Sequence, residues 1–290
     1  MSHPPTSRLR ELLQQPGIIP SLGAHDVFTA RIMEQSGLPL LFLGGFGAAA
    51  SALGMPDLNF PTLTEMADAV RRITARITVP LIADGDTGHG DLIHVQRTVR
   101  ELERAGASGI LLEDQAAPKR CGHFEGKSLV APDEMVLRLR AAVAARSNPD
   151  FVIIARTDAR AVEGLDAALS RMRCYLEIGA DVAFIEAPES EEELARIPRE
   201  IPGPHLANML TGGKTPILPL ARLEELGYKI AVAPIESLSV TARAVQLLCS
   251  EWLEQGRMDH LAPERMAPFD EVKSILGLEE YLAVRREVGN

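Results

Sequence analysis

The chain has 290 residues, 46% of them hydrophobic, with 23 Gly and 20 Pro dispersed along it, which suits one large core in one barrel-sized domain. A net charge of −10, without a basic run or a basic stripe interleaved with aromatics, argues against nucleic acid as a partner. Three widely spaced cysteines form no CxxC pair or disulfide framework, and no run approaches the ~18 apolar residues of a membrane span, so a soluble cytoplasmic protein is expected, with no membrane partner.

Residues 1–10 are polar and proline-bearing, without the apolar segment of a signal peptide. From there the chain repeats one phrase: an amphipathic helix, a glycine stop, and a short apolar strand that ends in polar residues. Asp26 to Ser36 stops at Gly37 before Leu40–Leu43, and Leu92 to Ala105 stops at Gly106 before Ile110–Leu112. Leu165 to Ile178 stops at Gly179 before Val182–Ile185, and Leu220 to Leu226 stops at Gly227 before Ile230–Val232. A glycine just past a helix end takes the left-handed cap that lets the chain reverse. Ile18–Leu22, Pro80–Ala83, Phe151–Ala155 and His205–Ala207 bring the strands to eight. They read as continuous apolar runs, so both faces are covered, as in a parallel sheet. Eight such units predict an α/β protein with a closed (β/α)8 TIM-type barrel over residues 1–258. Residues 259–290 fall outside the repeat and are expected to form additional C-terminal helices that dock on a neighbouring subunit.

In such barrels the reactive site lies at the C-terminal ends of the strands. Strand three ends in Asp84-Gly85-Asp86, strand four in Glu113-Asp114, strand five in Arg156-Thr157-Asp158, strand six in Glu186 and strand seven in Asn208. Carboxylates converging without matching cations repel, and a hard divalent ion held by oxygen, often through water, relieves this; Mg2+ is the expected ion. The i, i+2 spacing of Asp84 and Asp86 aims both to one side. Asp158 reads equally as a rim residue and as a helix cap or solvated loop residue. Arg156 can clamp a substrate carboxylate in a bidentate fork, or form a structural ion pair with Glu186 or Glu113. His89 and His123 sit in glycine-rich loops where an imidazole can donate to an oxyanion. His25, His94 and His260 read as surface or packing residues, and Cys174 and Cys249 as core positions within amphipathic helices. Glu191-Glu192-Glu193 suits the first turn of a helix.

Lys119-Arg120-Cys121-Gly122-His123 carries the most chemistry per residue. A lone cysteine in an intracellular chain is usually a small buried hydrophobe. Lys119, Arg120 and His123 each favour thiolate, however, and mark Cys121 as a nucleophile or proton donor.

These residues, with Gly44-Gly45, Leu53 to Asp57, Leu112 to Gln115, Ala155 to Ala159 and Gly212 to Pro216, resemble the isocitrate lyase and phosphoenolpyruvate mutase superfamily, colinear from about residue 8 to about residue 255. The Lys-Arg-Cys-Gly-His element resembles its carbon–carbon lyase branch. The resemblance implies a Mg2+-dependent barrel, with Mn2+ as the alternative ion, assembled as a homotetramer with swapped C-terminal helices. It implies that Asp84 and Asp86 hold the metal, directly or through water, with Glu113 in the surrounding shell and Asp57 facing the ion. Gly44, Gly45 and Phe46 would cradle a substrate carboxylate beside Phe42, and Arg156 would bind the oxo-acid part. Glu186 and Asn208 would complete the pocket. Residues 119–123 would form a lid that brings Lys119, Gly122 and His123 to the substrate, with Cys121 protonating the departing carbanion.

The implied substrate is a small di- or tricarboxylate. Lyases acting on 2-methylisocitrate carry a tyrosine where this chain has Phe42, and arginines for a third carboxylate that are missing here. The pattern is closer to enzymes that split 2-alkylmalates such as 2,3-dimethylmalate. Oxaloacetate hydrolysis, 2-methylisocitrate cleavage and a carboxyphosphonoenolpyruvate or phosphonopyruvate-type mutase are the alternatives, and Cys121 argues against the last. A silent barrel that only binds diacids would be expected to lose Asp86, Arg156 or Cys121, and all are present. Phe42 removes one possible base and leaves open which group takes the hydroxyl proton.

Overall fold

The structure, a computed structural model, describes residues 4–120, 122, 126–261 and 264–289. Eight strands alternate with helices: α1 (Pro5–Gln14), β1 (Ile19–Gly23), α2 (Val27–Gln35), β2 (Leu40–Leu43), α3 (Gly45–Ala48), α4 (Leu63–Thr74), β3 (Leu81–Asp84), α5 (Leu92–Arg104) and β4 (Gly109–Glu113). The chain continues through α6 (Pro132–Ala145), β5 (Val152–Thr157), α7 (Ala159–Glu163), α8 (Leu165–Glu177), β6 (Val182–Ile185), α9 (Glu191–Glu200), β7 (Leu206–Asn208), α10 (Leu220–Leu226) and β8 (Ile230–Ala233). It ends in α11 (Glu236–Gln255), α12 (Phe269–Ile275) and α13 (Leu278–Val288).

The strands pair in parallel in the order β6-β5-β4-β3-β2-β1-β8-β7, and one bridge, Ala183 with His205, joins β6 to the start of β7 and nearly closes the barrel. Gly37, Gly106, Gly179 and Gly227 all adopt φ between 92° and 105°, the left-handed cap that turns each helix back toward the sheet. Ser190 caps α9 through its side chain, and Glu191, Glu192 and Glu193 fill the first turn as expected, where the helix dipole favours negative charge.

Alternation along each strand separates two cores. Leu41, Leu43, Leu81, Ala83, Ile110, Leu112, Ile153 and Ala155 face the helices. Phe42, Ile82, Leu111, Ile154, Phe184, Leu206 and Val232 fill the barrel interior. Helix α1 plugs the opposite end: Leu9 is fully buried in that interior with Leu12 and Leu13 against it, while Ser7 and Arg10 bind Asp150 and Asp181. The proline-bearing N-terminal sequence disguised this helix, although Leu9, Leu12 and Leu13 follow helical spacing.

Helix α11 differs from the other barrel helices, for its 20 residues include no buried one. Val240, Trp252 and Leu253 all stand exposed along it. This corrects the core assignment of Cys249, which is exposed because its helix leaves the barrel wall; Cys174 is also exposed, since the inward face of α8 is taken by Leu169, Met172 and Tyr175. Helix α12 packs on α2 of the same chain, where Arg31 and Gln35 donate to the carbonyl of Ile275.

Candidate active site

The period of two that fills the barrel also builds its mouth. Two residues past each interior hydrophobe, the same inward direction delivers Gly44 after Phe42, Asp84 after Ile82, Glu113 after Leu111, Arg156 after Ile154, Glu186 after Phe184 and Asn208 after Leu206. These residues line a cavity of about 340 Å3 together with Gly45, Phe46, Asp57, Lys119, Arg120 and Gly122. One side of it is charged, and the other is apolar through Leu210, Pro234 and Ile235.

Lys119 occupies the centre of the acidic side. Its ammonium is 2.7 Å from Asp57 Oδ1 and 2.8 Å from Asp86 Oδ1, all three side chains being buried. Burial opposes its charge, but Asp86, Asp84, Glu113 and Asp57 together hold the ammonium protonated well above its usual range. Burial raises Asp86 to about 6, with Lys119 pulling the other way. Glu113 is likewise raised by burial, against the attraction of Arg156. Asp84 accepts from the backbone amides of Gly45 at 3.1 Å and Asp86 at 3.0 Å. The Gly45 amide, expected to cradle a substrate carboxylate, is thus bound to Asp84, because β2 and β3 end side by side.

Arg156 lies in a cage. Its Nε is 2.9 Å from Asp158 Oδ2 and 3.4 Å from Glu113 Oε2, and Nη2 is 3.3 Å from Glu186 Oε2. The guanidinium stacks 5.3 Å from the Phe184 ring centroid, and Asn208 Nδ2 donates to both oxygens of Glu186. Asp158, weighed as a cap or solvated loop residue, stands at the N-cap position of α7 but its side chain makes no capping bond: it is fully buried, and although burial raises its pKa, Arg156 and Lys127 overcome this and hold it at about 2. The ion-pair reading of Arg156 holds, with Asp158 as a further partner, and the guanidinium also lines the cavity.

Other candidates fall elsewhere. Cys121 and His123 lie outside the described residues. His89 has φ 56° and lines a separate surface cavity with His94 and Arg97, while its buried Nε2 has no hydrogen-bond partner among the described residues. His25 is a packing residue that meets Ser237 Oγ at 3.1 Å. Lys127 and the apolar wall were missed; alternation along β6 and β7 pointed to Phe184 and Leu206, whereas nothing local singled out Lys127.

Among the described residues no group of three or more His, Cys, Asp or Glu side chains converges closely enough to ligate a metal directly. Glu113 Oε1 is nevertheless a buried oxygen without a hydrogen-bond donor among the described residues, and Lys119 is one cation among four carboxylates. This donor set fits a hard ion that keeps most of its water, the habit of Mg2+.

Fold and site together define a (β/α)8 barrel enzyme that handles small anions at the C-terminal ends of its strands. Residues 9–253 match the family model described as phosphoenolpyruvate phosphomutase, and the chain belongs to the phosphoenolpyruvate mutase/isocitrate lyase superfamily. It is 45% identical to the 2,3-dimethylmalate lyase of Eubacterium barkeri, over 96% of each chain. Among solved structures it is similar to oxaloacetate acetylhydrolase in complex with the inhibitor 3,3-difluorooxalacetate, with a TM-score of 0.93, 33% identity and 99% of each chain covered. It is also similar to phosphonopyruvate hydrolase in complex with oxalate and Mg2+, with a TM-score of 0.88, 27% identity and 98% and 99% of the two chains covered.

Proposed function

We propose that the protein is a Mg2+-dependent lyase that cleaves a 2-hydroxy dicarboxylate of the 2-alkylmalate type into an oxo acid such as pyruvate and a carboxylic acid. The observation that carries this reading is the cavity's division into a charged half, built by Asp84, Glu113, Arg156 and Glu186 with Arg120 also in the lining, and an apolar half of Leu210, Pro234 and Ile235. A diacid with alkyl substituents satisfies both halves, whereas a third carboxylate would face Leu210, Pro234 and Ile235 unpaired. The similarity to 2,3-dimethylmalate lyase supports the same reading.

In the reaction the 2-hydroxyl loses its proton, the bond to the neighbouring carbon breaks, the oxo group forms, and the departing carbon takes up a proton. Asp84 and Asp86 would hold Mg2+ with Glu113 in the outer shell, and the ion supplies Lewis-acid stabilisation of oxygen charge. Arg156, immobilised by Asp158, Glu113 and Glu186, orients the oxo-acid carboxylate in its planar fork. Asn208 and Glu186 hold each other as the adjoining wall. Phe42 presents an aromatic face with no proton acceptor. Residues 119–123 would form a lid that excludes water, with Cys121 as the donor of the proton to the carbanion.

The exposed apolar residues of α11 support burial against further copies, in a homotetramer in which α11 is the exchanged C-terminal helix, while α12, within the 259–290 extension of the 1–258 catalytic barrel, rests on α2 of its own chain. No helix among the described residues is long and apolar enough to cross a membrane, and we place the enzyme in the cytoplasm.

Oxaloacetate hydrolysis is the second reading, favoured by the similarity to oxaloacetate acetylhydrolase. Incubation with Mg2+ and a panel of alkylmalates, isocitrates and oxaloacetate, followed by proton NMR, separates the two. Pyruvate from an alkylmalate is the expected result, while oxalate and acetate from oxaloacetate alone would replace the lyase reading with the hydrolase.

A further inference from the structure

The segment after β4 leaves the barrel mouth and comes back through Lys127, whose buried ammonium makes two contacts. It is 2.7 Å from Asp158 Oδ1, and it donates to the carbonyl of Gly122. Asp158 offers the same carboxylate to the clamp, Oδ2 accepting from Arg156 Nε at 2.9 Å and Oδ1 from Nη2 at 3.1 Å. Gly122 is seated on that clamp so closely that a Cβ there would lie 2.3 Å from Arg156 Nη2 and 2.8 Å from Glu186. One buried carboxylate thus joins two cations, one on the barrel and one on the loop.

The base of the loop does not need this lysine. Ala116 donates to the carbonyl of Ser128, and Val130 to that of Asp114, so the two limbs are already paired through backbone. The Gln115 amide pairs with both the N–H and the carbonyl of Arg120, at 3.0 and 2.9 Å. Lys127 instead reaches past the base toward the site, and an ammonium so thoroughly removed from water is retained at a desolvation cost that only charged partners offset.

We propose that Lys127 and Asp158 are positioning residues for the cavity: by holding the Gly122 carbonyl and the Arg156 counter-ion at once, they seat Gly122 over the site, beside Lys119 and Arg120, and tie that seating to the orientation of the guanidinium. Arg156 then cannot turn toward solvent without releasing Asp158, and the loop cannot lift without leaving the Lys127 charge unpaired. The link to turnover rests on the lyase reading; the link between loop and clamp does not.

The test is limited trypsin digestion of the full-length protein, with cleavage after Arg120 followed by mass spectrometry, in parallel with the affinity for oxalate, used as a probe, in the presence of Mg2+. Lys127→Met should speed cleavage and weaken oxalate binding, each about tenfold or more, because a charge-assisted contact is lost at both ends. Lys127→Arg should stay near wild type in both. Asp158→Asn, which keeps the shape of the carboxyl, supplies the same reading if Lys127→Met does not fold. Unchanged cleavage, or a loss of thermal stability with cleavage and oxalate affinity both unchanged, would overturn the proposal. If the substrate panel yields no turnover while cleavage still accelerates, the lyase reading fails and the positioning role stands.

Discussion

Glu113 and Arg156 stand in register across β4 and β5, and Arg156 Nε lies 3.4 Å from Glu113 Oε2 while the opposite oxygen, Oε1, has no hydrogen-bond donor among the described residues. One carboxylate thus turns one oxygen to the clamp and keeps the other for the acidic side of the cavity. The pair is a hinge point between the two halves of the proposed chemistry, anion binding and metal holding.

Arg156→Lys should lower kcat/KM by about a hundredfold or more, since a lysine has no planar fork to satisfy Asp158 and a substrate carboxylate together. Steady-state kinetics with the turned-over alkylmalate checks this. A lysine variant with wild-type kinetics would mean that charge alone suffices.

Asp86→Asn should weaken Mn2+ binding about tenfold or more, as read by the electron paramagnetic resonance of free Mn2+ during titration. The variant should also lose most of the thermal stabilisation that Mg2+ gives the wild type. Undiminished binding would remove Asp86 from the metal site.

Gly122→Ala should leave the fold intact and lower kcat/KM by about a hundredfold, because its methyl would fall 2.3 Å from Arg156 Nη2 and displace either the loop or the clamp. Circular dichroism and thermal melting should match wild type. The loss should therefore appear in kinetics alone.

Cys121→Ser should abolish most turnover while Mg2+ binding persists, since a hydroxyl is a much weaker acid than a thiol. Isothermal titration with Mg2+ and the pyruvate-release assay read the two arms separately. Full activity would exclude the thiol as proton donor.

His205 predicts an acid limb in the stability profile. The ring is buried where β7 meets β6, its Nε2 is 2.9 Å from the Ile201 carbonyl, Nδ1 has no partner, and burial lowers its pKa below the ordinary 6.5 against the pull of that carbonyl. A depressed folded-state pKa means that the stabilising contribution is present above pH 6.5 and is lost as the pH falls through the lower folded-state value. Urea unfolding between pH 5 and 8 should show this fall, and His205→Phe should flatten it by up to one proton. A variant with the wild-type slope would exclude His205 as its source.

Much of this arrangement was legible in the chain. The glycine stops at 37, 106, 179 and 227 marked the units because a positive φ is a local requirement that one residue meets best. The inward aim of Asp84, Glu113, Arg156, Glu186 and Asn208 followed from strand alternation, which is equally local. Surface exposure was not legible: the helical pattern around Cys249 suggested burial, but whether an apolar stripe is covered depends on where the helix goes.

Composition and periodicity by themselves determined the eight-fold alternation, the inward face of each strand and the acid-rich rim, since these follow from φ/ψ preferences and from the two-residue repeat of a strand. Only the folded barrel decided that Lys119 stands between Asp57 and Asp86, that Asp158 is shared by Arg156 and Lys127, and that the Gly45 amide is taken by Asp84. Those partners lie up to 62 residues apart in the chain. Coulomb attraction and desolvation act through distance in space, and closure of the sheet into a ring is what sets that distance.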